Sequence, residues 1–200
     1  GEDQKALMIL LKNDFRVALA TGHIPVRKKT KTITKELLVE KLTIFHRSLK
    51  QDFGIDCPRI AVFSLNPHAG DHGVIGSEET EVIIPAIQEM MAKGVQCFGP
   101  YPADGFMGSG NAFHFDGILA MYHDQGLIPL KSLGLTEGIN YTCGLPVVRT
   151  SPDHGTAFDI AGKGIANPNS LREAIYEAVD IIRNRMSYDF YSANPLERLK

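Results

Sequence analysis

The sequence predicts an α/β fold on a largely parallel sheet, and three observations carry that expectation. Two apolar runs, residues 60–65 and 117–121, each stop at a knot of polar residues: Asn66-Pro67-His68-Ala69-Gly70 and Tyr122-His123-Asp124-Gln125-Gly126. Strand-like and helix-like patterns alternate through the middle of the chain. Its 200 residues, 44% hydrophobic and 22% charged, are ordinary for a globular protein with one good core.

In chain order, residues 6–12 and 15–21 are apolar runs split by Asn13-Asp14, a two-residue break that predicts a hairpin. Thr21-Gly22-His23-Ile24-Pro25 closes the second strand, with His23 read as structural. Residues 27–31 are basic and polar and read as a solvated loop. Thr34 is an N-cap for a helix whose stripe is Leu38, Leu42, Phe45 and Leu49, with His46 at its boundary and Gly54 as its stop. The strand at 59–65 leads into a loop holding Gly70, Gly73 and Gly76. Ser77-Glu78-Glu79 opens the next helix, its acids suited to the positive end of the helix dipole. Ile83, Ile87 and Met90 face inward and Gly94 ends it. Pro85 inside that pattern predicts a kink or a fresh start.

A short strand at 95–98 precedes Pro102-Ala103-Asp104, and residues 107–114 read as a mobile loop. Beyond the central strand, 138–144 and 145–149 are short extended segments. A glycine-rich stretch, 153–169, gives way to a last helix from Ser170 that buries Leu171, Ala174, Ile175, Ala178, Val179 and Ile182. Residues 187–200 show no strong period.

Net charge of −2 provides no long-range attraction for nucleic acid or an anionic membrane. No apolar run reaches membrane-spanning length, and the first residues are no signal peptide. Cys57, Cys97 and Cys143 have no CxxC spacing and read as reduced core thiols, so a cytoplasmic protein is expected.

The ends of parallel strands are where ligands sit, in the crevice outside their carboxyl ends. One strand-end histidine is ordinarily a hydrogen-bonded structural residue. Two on one sheet edge, His68 and His123, with Asp71 and Asp124 nearby, favour a divalent metal site of neutral imidazoles and hard oxygens. Lys131, Asn140 and Arg149 follow His123 and would suit a phosphorylated or carboxylated substrate, although surface charge is the commoner fate of any one Lys or Arg. Asp104 is either a proton-transfer group or a turn aspartate.

These blocks, with Gly138-Ile139-Asn140 and Arg149-Thr150-Ser151-Pro152-Asp153-His154-Gly155-Thr156-Ala157, resemble the 4-hydroxythreonine-4-phosphate dehydrogenase family of vitamin B6 biosynthesis, in order from about residue 6 to 185. Residues 154–168 are also similar to the cofactor loop of the isocitrate and isopropylmalate dehydrogenases. The resemblance implies an incomplete fold of that kind: a C-terminal portion of a two-domain enzyme, with part of the cofactor region at about 150–185. It implies a divalent metal (Zn, Mg or Co) on His68 and His123, substrate on Lys131, Asn140 and Arg149, and Asp104 as the catalytic group. Gly155, Thr156, Ala157, Asp159 and Asn167 would meet NAD or NADP, with Asp159 suited to the free ribose hydroxyls of NAD.

The implied reaction oxidises and decarboxylates 4-phosphohydroxy-L-threonine, in a homodimer with a shared site. Close relatives act on erythronate or threonate 4-phosphate; a metal-dependent hydrolase and an inactive binding module are the alternatives from other classes. The family is longer at the N-terminus and is expected to draw a third metal histidine from a Gly-His-Thr segment there. None of His23, His46, His72, His114 and His154 stands in that context, so weak metal binding and little activity are expected of this chain.

Overall fold

Asn13, at φ 51°, and Asp14 do form the hairpin turn, joining β1 (Leu7–Lys12) to β2 (Phe15–Thr21) antiparallel. In this computed structural model, residues 6–132, 138–153 and 157–196 are described. The chain continues through α1 (Val26–Thr32), α2 (Lys35–Gln51), β3 (Arg59–Phe63), α3 (Ile84–Ala92), β4 (Gln96–Tyr101) and α4 (Ala103–Gly108). It then forms β5 (Gly117–Tyr122), α5 (His123–Ser132), β6 (Ile139–Cys143), β7 (Arg149–Pro152) and α6 (Asn169–Ser192).

The strands make one seven-stranded sheet in the order β4-β3-β5-β2-β1-β6-β7. The α/β class is as expected, but the sheet is mixed. β4, β3, β5 and β2 run parallel, whereas β1, β6 and β7 extend the sheet with antiparallel pairs. The central strands are buried on both faces, which is why they read as unbroken apolar runs rather than alternating ones. Ile60, Val62 and Leu119 face a core formed with Leu38, Leu42, Phe45 and Leu49 of α2 and Ile87 and Met90 of α3. Ala61, Phe63, Ile118 and Ala120 face a second core under α4 and α5, with Phe106, Leu127 and Leu130.

α2 follows its sequence signals. Thr34 Oγ1 accepts from the Leu37 amide at 3.2 Å, and all four stripe residues are fully buried, each contributing about 1.5–3 kcal/mol. Pro85 begins α3 afresh after a wide π turn over Glu79–Ile83. Gly126 makes room for α5: a Cβ there would stand 2.7 Å from Val17 Cγ1 and 2.8 Å from Leu19 Cδ2, so only glycine lets the helix lie this close to β2.

Several expectations fail for physical reasons. Residues 27–31 are helical, not a loop: Lys and Arg are good helix formers, and α1 needs no apolar stripe because its one buried side chain is Lys29. The expected loop at 107–114 is the tail of α4 followed by a 3-10 turn, Asn111–His114, pinned by buried Phe106 and Ala112. The second extended segment is β7 at Arg149–Pro152, and residues 145–148 bend between strands. Cys57 is exposed, while Cys97 and Cys143 are core thiols, pushed by burial to about 11 and about 12 and so unreactive.

The last helix runs on to Ser192, and its face is rotated from the expected one. Ser170, Ala174 and Ile181 are buried, whereas Leu171, Ile175, Val179 and Ile182 are 39% to 55% exposed. Hydrogen bonds choose this rotation. Ser170 Oγ donates to Gly138 O at 2.9 Å and Thr150 Oγ1 to Ala174 O at 2.8 Å. Further along, Arg185 Nε donates to Asp52 Oδ1 at 2.7 Å. Asp52 is 2% exposed and also accepts from Ser48 Oγ (2.6 Å) and Tyr141 OH (2.7 Å), so α2, β6 and α6 meet on one buried carboxylate. Burial among these groups holds the Tyr141 phenol in its protonated form.

Candidate active site at the strand ends

The carboxyl ends of three of the parallel strands, β2, β5 and β3, are knitted together by side chains before any catalytic group enters. Thr21 Oγ1 donates to Met121 O at 2.7 Å, tying β2 to β5. Gln125 accepts from the Met121 amide at 2.8 Å and donates from Nε2 to Ser64 O at 2.7 Å, tying β5 to β3. The Gln125-Gly126 pair of the His-Asp-Gln-Gly motif is therefore structural: the glutamine joins strands and the glycine seats α5.

The loop after β3 is held as firmly. Glu79, 1% exposed, accepts from the amides of Leu65 (2.8 Å) and Asn66 (2.7 Å) and from Asn66 Nδ2 (2.9 Å). It is not a dipole-placed acid at a helix start, as its position suggests, but a buried clamp. His68 through His72 all lie at positive φ, from 42° to 77°. Four of the five are not glycine, and each such residue costs about 1–2 kcal/mol. Strain of this kind persists only where surroundings over-determine it; here the run starts just after the clamped Leu65-Asn66 pair, and its carbonyls at Gly70 and Asp71 accept from the amides of Ile75 and Val74, each at 3.1 Å. A Cβ at Gly70 would lie 2.6 Å from Glu79 Oε2, so this turn needs glycine where it passes the clamp.

Between these ends lies a cavity of about 450 Å³ whose lining includes His68, Asp104, Tyr122, Asp124, Gln125 and Pro129. His68 and Asp104 are thus brought together, both exposed to the cavity, from the β3 loop and the first turn of α4. A second hollow across α5 is lined by His123, Asp124 and Lys131. His123 Nδ1 lies 2.7 Å from Asp124 Oδ1. That hydrogen bond, chiefly, and the positive charges of His123 and Lys29 hold the Asp124 carboxyl below its usual range. A carboxylate on Nδ1 orients the ring and leaves Nε2 for a ligand.

His23, read from sequence as structural, stands in the same place: its ring centroid is 5.4 Å from that of His123, the planes tilted by 50°. Strand order explains this, because β2 is the parallel neighbour of β5 and Thr21 pairs with Tyr122. Three histidines therefore leave the sheet at the ends of β2, β3 and β5. Their chemistry fits a divalent cation in kind and in backbone placement, although among the described residues no three His, Cys, Asp or Glu side chains converge on one point. His23, expected to be structural and to stand outside the context of a third metal histidine, lies beside His123.

The remaining expected residues lie on α5, on β6 and β7, and in the segment before α6. Lys131 Nζ is 3.9 Å from Asp153 Oδ2. Asn140 and Thr142 share a face of β6, opposite Ser151 and Arg149 of β7. Arg149 Nη1 donates to Thr142 Oγ1 at 2.8 Å. Among the described residues, Asn140 Oδ1 is buried without a hydrogen-bond partner, and its Nδ2 lies 3.4 Å from Met8 Sδ. Gly155 and Thr156 lie outside the described residues. Ala157, at φ 49°, precedes a 3-10 turn carrying exposed Asp159, and Asn167 Oδ1 accepts from the Asn169 amide at the start of α6.

Residues 1–178 match the profile of the family described as "Pyridoxal phosphate biosynthetic protein PdxA". The chain belongs to this family. Among PdxA relatives, the 4-hydroxythreonine-4-phosphate dehydrogenase of Bacteroides thetaiotaomicron is 67% identical over 198 residues, covering 99% of this chain and 54% of that protein. That of Caulobacter vibrioides is 48% identical over 179 residues, 90% of this chain and 54% of the relative. The crystal structure of the Klebsiella pneumoniae enzyme superposes with a TM-score of 0.79 at 41% identity, over 88% of this chain and 54% of that one. A terephthalate 1,2-cis-dihydrodiol dehydrogenase from Burkholderia xenovorans shares the fold at 28% identity, TM-score 0.72, over 88% of this chain and 56% of that one. The chain spans about half the length of the curated relatives it matches, in keeping with the expected shortfall against the family.

Proposed function

We propose that the strand-end cluster is the metal- and substrate-binding part of a dehydrogenase site that acts on 4-phosphohydroxy-L-threonine. Bound NAD or NADP would supply the hydride acceptor, and the β-keto acid so formed would lose CO2 to give 3-amino-2-oxopropyl phosphate for pyridoxal 5'-phosphate synthesis. The observation that carries this reading is the gathering of His23, His68, His123 and Asp104 at the ends of adjacent parallel strands. The 67% identity to a protein of that name favours this substrate over a sugar-acid phosphate.

In this reading His23, His68 and His123 hold a divalent ion (Zn, Mg or Co), which when bound lowers the pKa of the substrate hydroxyl and steadies negative charge beside the departing carboxylate. Asp104 faces the same cavity as His68 and takes the hydroxyl proton. Lys131 meets the phosphate. Arg149 grips an oxyanion through two parallel N–H bonds after leaving Thr142, and Asn140 Oδ1, unpartnered, accepts from a substrate donor. Gly155, Thr156, Ala157, Asp159 and Asn167 receive the nicotinamide cofactor, with the Asp159 carboxylate favouring NAD. The enzyme works as a cytoplasmic homodimer with a shared site. Turnover by this chain alone is expected to be weak, because further substrate contacts belong to the longer family members.

The test is NADH formation from 4-phosphohydroxy-L-threonine, with binding of the substrate followed in parallel by calorimetry with and without zinc. Zinc-dependent substrate binding and NADH formation that Asp104→Asn abolishes are expected. Release of inorganic phosphate without NADH would replace the dehydrogenase reading with a hydrolase, and zinc-independent binding would remove the metal from it.

A further inference from the structure

α1 is built from a basic run, Arg27-Lys28-Lys29-Thr30-Lys31, and every one of its residues is exposed except Lys29, which is 7% exposed. A lysine turned inward needs compensation for its lost hydration. Here the compensation is an aromatic face: Lys29 Nζ sits 4.3 Å from the centroid of the Tyr122 ring. Such cation–π contacts strengthen when water is excluded. The position is telling. Lys29 lies six residues after His23, on the helix that follows it, and Tyr122 immediately precedes His123. On the other side of the two histidines, Thr21 is tied to β5 by its register with Tyr122 and its 2.7 Å bond to Met121 O.

The histidines thus stand between two ties, one of hydrogen bonds within the sheet and one of charge on an aromatic ring above it. We propose that Lys29 is a positioning residue for this pair: seated on Tyr122, it locks α1 onto the end of β5 and sets how closely His23 approaches His123. The consequence for metal binding rests on the metal reading proposed above; the positioning itself does not. Loss of a side chain that orients metal ligands typically lowers affinity by about 10–100-fold.

The experiment uses the 200-residue chain, as wild type and as Lys29→Met, Lys29→Arg and Tyr122→Leu. The approach of the His23 and His123 rings is read without metal from their nuclear Overhauser effects, and zinc affinity from competition with a chromophoric chelator. His123→Ala serves as the control for the metal reading. Lys29→Met is expected to separate the two rings, abolishing the Overhauser effect between them, and to weaken zinc binding about tenfold, the lower edge of the outer-shell range. Tyr122→Leu, which keeps the lysine but removes the ring, is expected to do the same. Lys29→Arg keeps a cation on the ring and is expected to restore both.

An Overhauser effect that survives in both Lys29→Met and Tyr122→Leu overturns the proposal, whatever the zinc titration gives. If the rings separate in those variants while the wild type binds zinc no better than His123→Ala, the positioning role is upheld and the metal reading is overturned instead.

Discussion

The parallel half of the sheet and its antiparallel wing hold their polar groups in opposite ways. In the half formed by β4, β3, β5 and β2, the polar side chains stand at strand ends and are tied to backbone: Thr21 to Met121, Gln125 to Met121 and Ser64, Glu79 to Leu65 and Asn66. In the wing formed by β1, β6 and β7, they stand along the strands. Among the described residues Asn140 Oδ1 has no partner, Arg149 rests on Thr142, and the apolar residues Leu171 and Ile175 of α6 face outward. The lesson is that rigidity at this site comes from the crossing of parallel strand ends. The wing is anchored at a separate place, the Asp52 carboxylate under α6.

That contrast can be broken most strongly at Asp52. Asp52→Ala leaves Arg185 without its carboxylate, though still bonded to Tyr141 OH and Leu145 O, and removes the acceptor shared by Ser48 and Tyr141; it is expected to cost about 3–5 kcal/mol in urea denaturation. Amide exchange should rise in β6 and α6 first and leave β3 and β5 protected. Uniform loss of protection across the sheet would show that the two halves are not separately anchored.

Glu79→Ala strikes the parallel half. It strands the Leu65 and Asn66 amides, while Asn66 Nδ2 keeps its bond to Glu78 Oε2, with an expected cost of about 1–3 kcal/mol for each buried donor left unsatisfied. Its exchange effect should be confined to the residues between β3 and α3. Gly126→Ala comes next, at about 1–3 kcal/mol for overpacking against Val17 and Leu19. By lifting α5 from β2 it should separate His123 from His23, which the Overhauser effect between their rings would detect; an unchanged effect would mean that α5 does not set the histidine's place.

The smallest effect belongs to the solvent side of α3. Glu89 is held at about 2 by hydrogen bonds from Lys35 (2.8 Å) and Lys93 (2.7 Å). A carboxyl whose folded pKa is depressed contributes stability that is present above its ordinary value of 4.5 and is lost as pH falls through about 2. Glu89→Gln should therefore flatten the stability profile only in that acid window, and by little, because the group is exposed to solvent. A pH dependence between 4.5 and about 2 that the substitution leaves unchanged would contradict the assignment.

How far the sequence shows this division depends on the reach of each signal. His68 and His123 are legible because each ends an unbroken apolar run, a local pattern that places it at a strand end. His23 ends such a run too, but it closes a hairpin and has no carboxylate beside it; only the strand order, which seats β2 against β5, gives it company. Glu79 resembles any acid in a first helical turn until its bonds to Leu65 and Asn66 are seen. The rotation of α6 is the least legible feature. The stripe Leu171, Ile175, Val179 and Ile182 is the most apolar face of the helix, yet Asp52, far away in the chain, and the small hydroxyls of Ser170 and Thr150 turn another face inward. α1 hides for the opposite reason, since a run of lysines gives no sign of which one turns inward.

The central claim, that His23, His68 and His123 close around one divalent ion, is tested most directly by X-ray absorption of the zinc-loaded chain. The account predicts three imidazole nitrogens at about 2.0–2.1 Å, falling to two in His23→Ala. A zinc shell that is unchanged by His23→Ala, or that contains no more than one histidine in the wild type, would contradict it.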